Sequence, residues 1–190
     1  MNIKTIFAAV LTVTLLCSCR TSGPCVSGAT ASLPQFPEEG KRLWAYSYIW
    51  AKAPELKVER WLTEKPDTSG KYVLVQHWNT WCPPCRRSIP LLNEFHKKYS
   101  DELVVIGITD ETEKDIKEMK SASIEYYSAI DTQGRQKKEL GVFGVPHVII
   151  LEPDGYVVWE GFPFQEGYEL TEEKIEKILA VGRKLKAEKK

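Results

Sequence analysis

"KYVLVQHWNTWCPPCRRSIPLLNEFHKKY", residues 71–99, is the stretch whose reading decides the fold. Its first eight residues form an apolar, valine-containing run of strand length, which suits a strand buried on both faces. From Pro83 to about Tyr99 the period changes. Ile89, Leu92 and Phe95, with Leu91 and Tyr99 nearby, recur at three- and four-residue spacing and predict a helix. Pro90 lies inside that helix and is expected to kink it. Between strand and helix stand Cys82 and Cys85, separated by Pro83 and Pro84. That spacing alone is compatible with a redox pair, a metal clip or a structural staple.

Downstream, "ELVVIGIT" (102–109) predicts a second buried strand and "ETEKDIKEMKSA" (111–122) a polar, exposed helix. "IEYYSAI" (124–130) leads into a short strand, and "QGRQKKELGV" (133–142) into a short helix closed by Gly141. "VPHVIILE" (145–152), the turn "PDG" and "YVVWEG" (156–161) predict a strand hairpin. A final helix starts at Thr171 as N-cap with Glu172 and Glu173 following. It places Ile175, Ile178, Leu179 and Leu185 on one side and ends in lysines that suit the helix dipole. Upstream, "RLWAYSYIW" (42–50) alternates large with small or polar residues and predicts a strand, and "LKVERWL" (56–62) suggests another. Strands alternating with helices, then an antiparallel pair, define an α/β fold with a mixed central sheet flanked by helices and an N-terminal strand extension.

The chain has 190 residues, room for one ordinary domain with additions. Lysine plus arginine equals aspartate plus glutamate at 26 each, so no basic excess points to nucleic acid. The first residues differ from the rest. One charge, Lys4, precedes an apolar run from Ile6 to Leu16, too short for a good bilayer span and fitting a secretory signal. Leu16-Cys17-Ser18-Cys19 resembles the lipobox of bacterial lipoproteins, with Cys19 as the lipidated residue. The expected organisation is a signal peptide over 1–18, a flexible tether over 19–40 and the folded domain over 41–190. A signal peptide cleaved nearby without lipidation is the plainer alternative. An exported chain meets a compartment where disulfide chemistry is possible. Cys25 lies in the small-residue tether, leaving Cys82 and Cys85 as the cysteines of the folded region.

With these motifs together the chain resembles the thioredoxin superfamily, and within it the bacterial TlpA-like and ResA-like thiol-disulfide oxidoreductases. "APEL" (53–56), "GKYVLVQHWNTWCPPC", "SIPLLNEFHKKY", "VVIGIT", "GVPHVIILEPDG" and Gly161 carry the resemblance, which runs from about Ala53 to the C-terminus. It implies a thioredoxin-like fold, Cys82 and Cys85 as the catalytic pair, and no cofactor beyond that redox-active disulfide. It also implies a cis Pro146 against the cysteines, with Val145 offering backbone groups to a substrate peptide. Trp81 joins them at the substrate face, while Trp78, Pro83, Pro84, Arg86 and His147 form the surroundings. For Trp78, core packing is an equal reading. Cys82 at the helix start sits in a field that lowers a thiol pKa, which makes it the nucleophile; Cys85 is the resolving thiol. Arg86 and Arg87 either favour the thiolate, contact an acidic partner or are merely solvated. The implied partners are exported protein thiols and disulfides and a membrane-bound electron donor, reached from a lipid-anchored position facing the periplasm or cell surface. Apocytochromes before haem attachment are one implied client.

The sequence departs from its relatives at two places. Gln76 stands where thioredoxins carry a buried aspartate, and Ser88 where ResA-like reductases often carry a glutamate. Neither is a base near neutral pH, so Cys85 is expected to lose its proton through water or another group, with no buried carboxylate at the pair. Pro83 and Pro84 have no N–H to give a Cys82 thiolate, leaving the amides of Cys85 and Arg86. Two alternatives compete. A redoxin-type thiol peroxidase needs a threonine three residues before its cysteine, and Asn79 holds that place while Thr80 is one residue too close. A copper-binding chaperone would use Cys82, Cys85 and His147, but such carriers usually space their cysteines more widely. His147 otherwise points to the far side of its strand, and no metal is expected.

Overall fold

The computed structural model describes residues 40–120 and 123–188. The signal segment, Cys19, Cys25 and the tether therefore lie outside the described residues. Six strands form one mixed sheet in the order β1-β4-β3-β2-β5-β6. β2 (Tyr72–His77), β3 (Leu103–Thr109) and β4 (Tyr127–Ile130) run parallel to one another. β5 (His147–Leu151) is antiparallel to β2, and β6 (Val157–Gly161) is antiparallel to β5.

β2 and β3 are central because every residue of both is buried. Alternation then splits the core between two faces. Leu74 packs with Ile89, Leu92 and Phe95 of α1 (Pro83–Lys98) and with Ile175 and Leu179 of α4 (Glu172–Glu188). Val73 and Val75 point the other way, packing with Leu140, Ile149 and Val157. That second face is closed by α3 (Arg135–Glu139) and by Tyr48, Ile49 and Leu56 of the N-terminal segment. α1 runs as one helix through Pro90, which lies on its exposed side.

Four sequence expectations change. Residues 42–50 do not form a strand. Their amides meet dispersed partners instead of a ladder: Tyr46 N–H donates to Leu140 O at 3.0 Å, and Tyr48 N–H to Glu160 Oε2 at 2.8 Å. Its only backbone bridge to the sheet among the described residues is the isolated one from Ile49 to Val157, with a second just beyond it from Lys52 to Tyr156. The N-terminal strand extension is β1 (Arg60–Trp61), two residues paired antiparallel with Ile130 and Ala129 of β4. α2 spans only Glu113–Glu118; a capping box between Thr112 and Asp115 starts it, and the backbone turns extended at Met119. Leu185 of α4 is exposed, so the buried stripe of that helix ends at Leu179. Thr171 caps α4 as expected, accepting from Lys174 N at 3.3 Å.

Candidate active site

The site lies where β2 delivers the chain into α1. Cys82 is the N-cap of α1 with an extended backbone, and Pro83 and Pro84 fill the first two helical positions. Cys82 and Cys85 are joined as a disulfide with Cα atoms 5.2 Å apart. The Cys85 N–H donates to Cys82 Sγ at 3.2 Å, as a capping amide does. Cys82 keeps 3% exposure and Cys85 none. The Val145–Pro146 peptide is cis, and the Val145 carbonyl oxygen lies 3.6 Å from Cys82 Sγ. Trp78 is fully buried against both cysteines, Ile116 and Met119, whereas Trp81 projects with 67% exposure.

The arginines do not serve the sulfur. Arg86 N–H donates to the Cys82 carbonyl at 3.1 Å, and its guanidinium donates from Nη1 to Thr80 O at 2.6 Å. Arg87 stacks over the Phe164 ring at 4.0 Å. Cys82 Sγ is thus left with one amide, and the expectation of a second from Arg86 is corrected: that amide is used one step along, closing the first turn.

Gln76 and Ser88 replace acids with a neutral bridge. Gln76 Nε2 donates to Ser88 Oγ at 2.6 Å, and the hydroxyl donates to Cys85 O at 2.7 Å. No carboxylate bonds to Cys85 among the described residues. A carboxylate does reach the loop before the pair: Glu111 accepts from Thr80 N at 2.5 Å and from Thr80 Oγ1 at 2.7 Å. Beside it, Asp110 Oδ1 accepts from Asn79 Nδ2 at 2.6 Å and from Lys137 Nζ at 2.9 Å. Partial burial pushes the Asp110 carboxyl up, but the bonds from Lys137 and Asn79 outweigh it and hold it below its ordinary value. Sequence reading missed this network because its members come from three separate elements. The signal was the acidic pair directly after β3, since sites gather at the carboxyl ends of parallel strands.

His147 faces away from the cysteines. It pairs directly with His77 across β5 and β2, on the face that carries Ile149 and Val75 rather than α1. Burial, then the neighbouring His147 imidazole, pushes His77 down to about 3; burial, then the Lys41 charge, pushes His147 down to about 4. The copper reading loses the histidine it needs, and among the described residues no group of three His, Cys, Asp or Glu side chains is placed to hold a metal.

On both sides of Trp81 the surface is concave. One cleft of about 570 Å³ runs from Asn79 and Asp110 past Trp81 to Phe143 and Val145; another of about 500 Å³ runs from Trp81 and Arg86 to Met119. A disulfide at a helix start, a cis proline against it and flanking clefts on this sheet define a thioredoxin-fold thiol-disulfide oxidoreductase. The chain belongs to the AhpC/TSA family, whose profile matches residues 49–160. It is 34% identical over 118 residues to the thiol-disulfide oxidoreductase ResA of Bacillus thuringiensis, covering 60% of this chain and 68% of the relative. It is also 32% identical over 91 residues to the thiol:disulfide interchange protein DsbE of Escherichia coli, covering 47% of this chain and 49% of that protein. A crystal structure described as a DsbE thiol:disulfide interchange protein of Chlorobium tepidum superposes with TM-score 0.52 at 26% identity, covering 60% of this chain and 82% of that one. The thioredoxin domain of a Bacteroides vulgatus oxidoreductase, at 23% identity and TM-score 0.57, covers 70% and 99% and shares the fold.

Proposed function

We propose that the chain is a reductase of disulfides in exported proteins, with Cys82 as nucleophile and Cys85 as resolving thiol. The observation that carries this direction is the sparse stabilisation of Cys82 Sγ: one amide reaches it, while both neighbouring arginines are engaged elsewhere. A poorly stabilised thiolate makes the reduced form less favoured, and so makes the pair a better electron donor. The Cys82 thiolate attacks a client disulfide, forming a mixed disulfide and expelling one client thiolate, which takes up a proton. Cys85 loses its proton and attacks the mixed disulfide, expelling the second client thiolate; the Cys82–Cys85 disulfide forms and two electrons have passed to the client. The greater burial of Cys85 supports this order. The pair itself is the redox group, and no further cofactor enters.

Val145, Pro146 and Trp81 form the client face in this reading. Lipid attachment at Cys19 and a position facing the periplasm or cell exterior rest on the sequence reading of the first residues, and a membrane-bound electron donor on the resemblance to ResA-like oxidoreductases. Among the described residues no helix is long and apolar enough to cross a membrane. Apocytochromes awaiting haem attachment are one client class within this proposal. The peroxidase alternative finds less support, since Asn79 and Thr80 are bound to Asp110 and Glu111. Equilibrating the purified protein with glutathione buffers tests the direction. A thioredoxin-like potential, about −270 mV, supports the reductase, and a value near about −120 mV overturns it in favour of an oxidant.

A further inference from the structure

Residues 41–50, which include the stretch 42–50 expected as a strand, form a strap laid over the loop that leads to Val145. It is fastened at several points. Lys41 Nζ sits 4.6 Å above the Trp159 ring, and Trp44 meets Phe162 edge to face at 5.7 Å. Ser47 Oγ and the Tyr48 N–H both donate to Glu160, a carboxylate only 2% exposed on β6. Trp50 N–H donates to Val157 O at 2.8 Å. Burying a carboxylate is costly unless it is hydrogen-bonded, so the two donors and Glu160 hold one another in place.

Between these fastenings the strap touches the loop of residues 140–145. The Trp44 carbonyl accepts from two successive amides, Phe143 N–H at 2.9 Å and Gly144 N–H at 3.3 Å, and Tyr46 N–H donates to Leu140 O. The approach is as close as glycine permits. A Cβ on Gly144 would lie 2.7 Å from Trp44 Cβ, and one on Gly141 2.5 Å from the Tyr46 ring. Phe143, held by this pairing, projects with 75% exposure into the cleft it shares with Trp81. Two residues after Phe143 comes Val145, whose carbonyl oxygen lies 3.6 Å from Cys82 Sγ.

A loop with two glycines in four residues has little stiffness of its own, so its position comes from what it is bound to. We infer that Trp44 is a positioning residue for exchange with protein clients: through its carbonyl and ring it sets the 143–145 backbone against which a client strand aligns. The inference rests on the reductase reading and adds a specificity rule to it. Because the Phe143 and Gly144 amides are already given to the Trp44 carbonyl, neither donates to a client main chain, and side-chain contact falls to Phe143 and Trp81.

The test compares two oxidised probes against the reduced protein. One is an unstructured peptide closed by a single disulfide; the other is hydroxyethyl disulfide, which has no peptide backbone to align. Trp44→Ala is expected to lower the ratio of peptide rate to hydroxyethyl disulfide rate about tenfold, since small misplacements at a reacting centre cost about that much or more. Trp44→Phe, which keeps a ring over Gly144, restores most of the ratio. Gly144→Ala pushes the loop off the strap from its other side, lowers the ratio likewise, and decides the matter if Trp44→Ala does not fold. A ratio within about twofold of wild type in the folded variants overturns the inference, as does an equal fall in both rates, which marks a merely structural role. A wild-type protein inert toward both probes sinks the reductase reading itself, a result distinct from an active wild type with an unchanged ratio.

Discussion

Gln76 Nε2 donates to Ser88 Oγ at 2.6 Å with both residues wholly buried, and Ser88 in turn holds the carbonyl of Cys85. This bridge fixes the backbone at Cys85 without offering its sulfur a base. Gln76 Oε1 has no partner among the described residues, although a buried acceptor left unpaired costs about 1–3 kcal/mol. Replacing Gln76 by Asp puts an ionisable group at this point. Resolution of the mixed disulfide is expected to speed up about tenfold or more at neutral pH, because a positioned general base typically contributes about 10²–10⁴. Stopped-flow kinetics across pH should show a new ionisation controlling this step, and an unchanged pH profile would remove Gln76 from any account of proton handling. The buried carboxylate carries a desolvation cost, so the variant should also be less stable.

The strand-to-helix passage through the cysteines was legible because its signals are local. A valine-containing run of six buried residues and a three-to-four spacing both follow from near neighbours. The strap was misread because Trp44, Tyr46, Tyr48 and Trp50 alternate like a strand, while the partners that decide their backbone lie far along the chain at Leu140, Glu160 and Val157. The arginines show the same limit. Adjacency to Cys85 suggested that they serve the sulfur, yet Arg86 turns back to Thr80 and Arg87 outward to Phe164. His147 follows the cis proline in sequence, but strand alternation sends it to the opposite face. The Asp110, Glu111, Asn79 and Lys137 network assembles only when β3, the pre-helix loop and α3 converge.

The two facing histidines predict acid sensitivity. His77 and His147 have an ordinary value of 6.5 and are held at about 3 and about 4 by burial, so both are neutral in the folded protein. Of the charged groups acting on His77, Lys137 lowers it further and Asp110 opposes. Below 6.5 the unfolded chain takes up protons that the folded chain refuses, so stability is fully present above that pH and falls as the solution is acidified toward 4 and 3. The loss is up to about 1.4 kcal/mol per pH unit for each histidine. Urea unfolding at a series of pH values should show this slope in wild type, and His77→Leu should flatten it by about one proton's share. An equal slope in the variant would place the acid sensitivity elsewhere.

Glu111 predicts how firmly the loop before Cys82 is held. Its carboxylate takes both the amide and the hydroxyl of Thr80, two residues ahead of Cys82. Glu111→Ala leaves the Thr80 amide without this partner, at a cost of about 1–3 kcal/mol. Hydrogen exchange at the Thr80 amide should then accelerate about tenfold or more, while the Leu74 amide, inside β2, follows global unfolding and changes less. Equal acceleration at both positions would mean that Glu111 supports the fold as a whole and not the loop.

The two prolines make the last prediction. Cys82 caps α1, and an N-cap side chain accepts from the second or third amide of its helix. The third, from Cys85, already reaches Cys82 Sγ; the second belongs to Pro84 and does not exist. Pro84→Ala supplies it without adding a side chain that competes for the sulfur. A second donor stabilises the thiolate, lowers the Cys82 pKa and shifts the pair toward the dithiol form. If the new bond contributes about 1.4 kcal/mol, the equilibrium with glutathione moves about tenfold toward reduced protein, and the variant becomes the more oxidising by about 30 mV. Thiolate absorbance across pH reads the first change and redox equilibration the second. A Cys82 pKa and an equilibrium constant both unchanged from wild type would show that the missing amide is not what limits stabilisation of this thiolate.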